Sequence, residues 1–154
     1  MVLDVEGDQL LMRPEELGHL LGLRISSITM EWWFSADIDV VHSYSYDPLG
    51  CEIQTLWLDG LTRDQADTVE TAVVAAATGL PTPTRAVIVD RRGGEGDPDD
   101  WDSVVLYEGE RLPVIRDRVL VREPLTHRLL RSSPELKSEE IGAGLTLLPP
   151  ARPL

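Results

Sequence analysis

The densest group of chemistry-bearing side chains is Glu95, Asp97, Asp99, Asp100 and Asp102, with Trp101 among the carboxylates. Calcium takes several oxygen ligands, so such a run invites comparison with a calcium-binding loop. Placing Asp97 and Asp99 at the first and third ligand positions puts Glu108 at the last one. Trp101 then stands at a ligand position, and Asp102 replaces the glycine that the sharp turn requires. The register fails at two essential places, so no metal is expected. The run reads instead as a solvated acidic loop or a docking surface for a basic partner. Arg91-Arg92-Gly93-Gly94-Glu95-Gly96 follows a strand candidate, as phosphate loops do. A phosphate cradle needs a helix next, with its first amides facing the ligand, and an acidic, proline-containing loop stands there. No nucleotide or other cofactor is expected.

Asp37-x-Asp39 places two carboxylates on one face of an alternating strand, where they could converge on a cation. Neither has an evident third ligand, so an exposed strand face is the simpler account. The histidines are His19, His42 and His127, and none has metal-ligand spacing. His42 shares a strand face with Tyr44 and Tyr46, with Cys51 near in sequence. A Cys-His pair can form a nucleophile, but only with a cleft, an orienting carboxylate and a depressed thiol pKa. Cys51 reads more simply as a small core residue, and no catalytic residues are assigned. The aromatic residues Trp32, Trp33, Phe34, Tyr44, Tyr46 and Trp57 crowd into one stretch of the chain. Adjacent residues on a strand face opposite ways, so Trp32 and Trp33 must part. The alternation assigns Trp32 inward and Trp33 outward, where a tryptophan makes a strong binding anchor.

The elements that must position these groups are legible in outline. Arg13-Pro14-Glu15-Glu16 opens a short helix, with proline in its first turn, two acids at its positive end, and Gly22 as its stop. Ile28, Met30, Trp32 and Phe34 alternate with polar residues, and Ile38, Val40, His42, Tyr44 and Tyr46 do the same. Asp47-Pro48-Leu49-Gly50 is a turn, and residues 51–58 make a third strand of an antiparallel meander. Thr62 and Gln65 form a capping box for a helix over 62–78, which should lie across that meander. Residues 85–91 predict a buried strand. Residues 102–108 and 111–121 predict a hairpin around Gly109, and 125–131 a helix. Ser133-Pro134-Glu135 predicts a further short helix ending by Gly142. The expected fold is α+β, in the order α-βββ-α-βββ-α. It has a mostly antiparallel sheet of about six strands with helices packed on one face. A single domain over 1–144 is followed by a proline-rich tail over 145–154.

Composition narrows the functions. The chain has 154 residues, enough for one domain, and 42% are hydrophobic, enough for a core. The formal charge is −13, which opposes binding to nucleic acid or to an anionic membrane surface. Acids near the N-terminus stand where a secretory leader carries positive charge, and one cysteine suits a reducing compartment. A cytoplasmic location is therefore expected. Thirteen arginines against one lysine, Lys137, suggest a GC-rich bacterial genome.

Three functions are weighed. The first is a non-catalytic acidic module that grips a basic protein, with immunity proteins and other inhibitors as the concrete case. Its partner-binding residues would be Trp33, Asp37, Asp39, Glu95, Asp97, Asp99, Asp100, Trp101 and Asp102. Opposite charge speeds such encounters. The second is an enzyme or small-molecule binder with a pocket near His42, Tyr44 and Tyr46. The third is a scaffold or assembly subunit that docks through its tail, and the sequence fixes no oligomeric state. Leu58-Asp59-Gly60, a capped helix and Leu80-Pro81 together resemble part of a barstar-like inhibitor. Pro83-Thr84-Arg85 replaces the aromatic-glycine-asparagine segment of that pattern, so no residue role is carried over.

Overall fold

Alternating side chains in the first third of the chain and solid apolar runs in the last third lead to two different sheets. The structure, a computed structural model, describes residues 1–3, 8–24, 26–91 and 98–149. The chain divides into two compact units, Met1–Asp67 and Thr68–Leu154. Both have antiparallel sheets with helices packed on them, so the fold is α+β. Among the described residues no helix is long and apolar enough to cross a membrane.

In the first unit, strands β1 (Val2–Leu3) and β2 (Gln9–Leu10) precede helix α1 (Pro14–Gly22). The predicted meander follows as β3 (Ser27–Ser35), β4 (Ile38–Tyr46) and β5 (Glu52–Trp57). The sheet order is β2-β1-β3-β4-β5. The Asp47–Gly50 turn forms as its residues demand. The Asp47 carboxylate accepts the Cys51 amide at 2.5 Å, and Gly50 takes a φ of +76°. Helix α1 opens with the Glu16 carboxylate accepting the Arg13 amide at 2.9 Å. Its Leu17, Leu20 and Leu21 pack on Val2, Ile28, Met30 and Tyr44, which are the core of this unit.

Helix α2 (Arg63–Gly79) begins in the first unit and continues in the second. Its capping box is present: the Thr62 amide donates to Gln65 Oε1 at 2.8 Å, and the Gln65 amide to Thr62 Oγ1 at 3.4 Å. The second unit continues with β6 (Ala86–Val89), α3 (Pro98–Tyr107), β7 (Arg118–Val121), α4 (Leu125–Ser132), β8 (Glu139–Gly142) and β9 (Leu145–Leu148). The sheet order is β6-β7-β9-β8. Val104 of α3 and Leu125 and Leu129 of α4 cover one face, at Val119, Val121 and Leu148. Val74 and Ala77 of α2 cover the other, at Leu120 and Leu145. Strand β7 is therefore apolar on both sides, and Val119, Leu120 and Val121 are all buried.

Several expectations need correction. Among the described residues the strands form two sheets, of five and four, rather than one of about six. The second sheet carries helices on both faces, with Val74 and Ala77 of α2 on one of them. The strand expected over 102–108 is part of α3. Proline in its first turn, acids behind it, and Trp101, Val104 and Val105 at helical spacing outweigh the β-branched run. Of the strand expected over 111–121, only Arg118–Val121 forms. The short helix expected to end by Gly142 is replaced by β8, and the first residues of the expected tail are strand β9. The reason is the Gly142-Ala143-Gly144 turn. Ala143 and Gly144 take φ values of +51° and +74°, as the favoured two-residue hairpin turns require.

Candidate functional site

The meander sorts its side chains by register. Trp33 lies opposite Asp39, Glu31 opposite Val41, and Val41 opposite Trp57. Directly opposed residues share a face, so Glu31, Trp33, Asp39, Val41 and Trp57 stand together. Ile28, Met30, Trp32, Val40, His42 and Tyr44 stand on the other face, which α1 covers at Ile28, Met30 and Tyr44. Four large aromatic side chains remain substantially exposed at the end of the sheet away from that core. Trp32 is 47% exposed, Trp33 46%, Phe34 45% and Trp57 45%. The pairing shifts between Trp33 and Ser35, so Phe34 is a bulged residue, and a bulge re-aims the side chains around it.

A hollow of about 300 Å³ opens on the face that carries Trp33 and Trp57. Its walls are Thr29, Asp39, Val41, Trp57 and Asp59. Val41 and the Trp57 ring make it apolar, and two carboxylates give it negative charge. Trp33 flanks Asp39 from the neighbouring strand, with an expected Cβ separation of about 5 Å.

Trp32 and Trp33 do face opposite ways, as expected, but Trp32 is not buried. Nine residues of α1 are too few to cover the whole strand, and Trp32 lies beyond the leucines that fill the core. Its indole N–H is still satisfied, because it donates to His42 Nδ1 at 3.1 Å. His42 is buried, and burial holds its imidazole below the usual range, against the weaker upward pull of Gln54 and Glu52. Tyr44 and Tyr46 join hydroxyl to hydroxyl at 2.8 Å, and burial pushes the Tyr44 phenol up. The Arg24 guanidinium lies 5.8 Å from the Tyr46 ring centroid. His42, Tyr44 and Tyr46 share a strand face, where the two tyrosines bond to each other and His42 bonds to Trp32. His42 and Tyr44 are buried, and Tyr44 packs with Ile28 and Met30 against the α1 leucines.

The remaining site residues are dispersed. Asp37 lies in the β3–β4 turn, exposed, so it shares no strand face with Asp39. Trp101 is on α3 and packs against the core of the second unit. Asp102 follows it on the same helix, as Asp99 and Asp100 precede it. Glu95 and Asp97 lie outside the described residues. The acidic run from Pro98 onward is therefore the opening of a helix and not a loop. Among the described residues no three His, Cys, Asp or Glu side chains are grouped to hold a metal ion.

Of the residues lining the hollow, only Asp39 is among the candidate site residues of the sequence; Trp57 enters there as a member of the aromatic cluster without a site role. The signal was present: pairing about the Asp47–Gly50 turn brings Trp57 opposite Val41. No family profile, no curated protein and no solved structure matches the chain. The partial resemblance to barstar-like inhibitors gains no support from them.

Proposed function

We propose that this chain is a protein-binding module that grips a basic partner, with inhibitor or immunity proteins as the concrete case. The observation that carries this is the cluster of exposed Trp32, Trp33, Phe34 and Trp57 at one end of the first sheet, beside Asp37, Asp39 and Asp59. Exposed aromatic residues are what protein interfaces use as anchors. A chain of net charge −13 attracts a positive surface and repels most others.

The test starts from partners captured at low salt from extracts of its own cells, followed by affinity measurement with the purified partner. The partner is expected to be basic, its affinity should fall steeply as salt rises, and Trp33→Ala should weaken it about tenfold or more. A captured partner without a basic surface, or an affinity indifferent to salt, would overturn the proposal.

A further inference from the structure

The hollow on the open face of the first sheet combines two kinds of group that recognise one kind of ligand. An aromatic face attracts a cation through its quadrupole, and a carboxylate attracts it by charge and hydrogen bonding. Trp57 supplies a ring in the wall, and Trp33 supplies a second beside it on the far side of β4. Asp39 and Asp59 supply the carboxylates. The two tryptophans stand on the strands that flank β4, about 10 Å apart across the sheet and offset by two residues along it. Val41 forms an apolar floor on which the methylene stem of a long side chain can lie.

We infer that this hollow receives an arginine side chain of the basic partner. The guanidinium stacks on the indole of Trp57 or Trp33 and donates to Asp39 and Asp59. Arginine is favoured over lysine because a planar guanidinium both stacks on a ring and forks onto a carboxylate, while an ammonium is more strongly hydrated. This deepens the proposed function and rests on it for the identity of the ligand's carrier.

The experiment uses the full chain and an oligoarginine amide, with an oligolysine amide as comparator, at physiological ionic strength. Indole N–H resonances of Trp33 and Trp57 report occupancy, and the titration gives the affinity. Oligoarginine should shift both indoles and bind more tightly than oligolysine. Trp57→Leu and Asp39→Asn should each weaken binding about two- to fivefold, the range for an exposed cation–π contact or ion pair. Trp57→Phe, which keeps an aromatic face, should retain most of it and guards against a folding defect. Glu140→Gln, an equal loss of charge in the second unit, should change little. If Glu140→Gln weakens binding as much as Asp39→Asn, or if the indoles do not move, the inference falls. A basic partner whose binding ignores Trp57→Leu and Asp39→Asn would also overturn it while leaving the module's function intact. Indole shifts with oligoarginine, where captured partners prove non-basic, would keep the cation site and remove the function.

Discussion

Among single residues, the Trp32–His42 pair carries the sharpest consequence. Nδ1 of His42 accepts the indole N–H at 3.1 Å, so the neutral imidazole carries its proton on Nε2. Protonation would place a second donor against the indole and break the bond. Burial already holds the native pKa below the ordinary 6.5. The unfolded chain therefore takes up a proton before the native state does. The stability contributed by neutral His42 is full above about pH 6.5 and is lost as pH falls through the native value. Glu52 is the nearby charge that opposes the shift without reversing it. His42 resonances should titrate below 6.5, and the Trp32 indole proton should move with the same midpoint. His42→Gln should flatten the fall of the unfolding midpoint between neutral and mildly acidic pH. An unchanged pH dependence in that variant would refute the assignment.

Among the elements, what was legible in the sequence depended on whether one signal spoke alone. Residues 27–57 alternate cleanly around a turn whose residues allow little else, and the meander follows. Thr62 and Gln65 mark the start of α2 as plainly as Gly79 and Pro81 mark its end. Two signals competed in α3, where Val104-Val105-Leu106-Tyr107 looks like a strand while Pro98, Asp99 and Asp100 look like a helix start. The helix wins because Trp101, Val104 and Val105 then bury one stripe against the second core. At β8 the polar Glu139-Glu140 hid an edge strand, and at β9 the prolines that follow hid a buried one. Of the site, Trp33 and Asp39 were legible from local alternation, whereas Trp57 arrives through strand pairing and Asp59 through the turn that follows β5. Strand β9 offers a direct check, since Leu145 and Leu148 are fully buried. Leu148→Ala should cost about 2–5 kcal/mol, read as a lower urea midpoint. A residue in an idle tail would cost almost nothing.

Across the whole molecule, 27 acids against 14 bases make self-repulsion a standing cost. Raising ionic strength from low to physiological should therefore raise the thermal midpoint, as measured by circular dichroism, before any partner is added. The same salt should weaken a basic partner's hold, so the two effects run in opposite directions and can be separated. Within this surplus of negative charge, Glu70 of α2 is an exception in its use. It is mostly buried and pairs with Arg91, and with Arg118 of β7 at 2.9 Å. One anion thus sits between two cations, and the three substitutions are not equivalent. Removing Arg91 or Arg118 leaves a neutral couple. Glu70→Gln takes the shared anion from two cations at once, although Arg118 keeps Asp117 at 3.5 Å, and should lower the urea midpoint more than either Arg91→Met or Arg118→Met. In a chain so rich in acids, this carboxylate is one whose loss should be felt in folding, because its charge is spent inside the second unit.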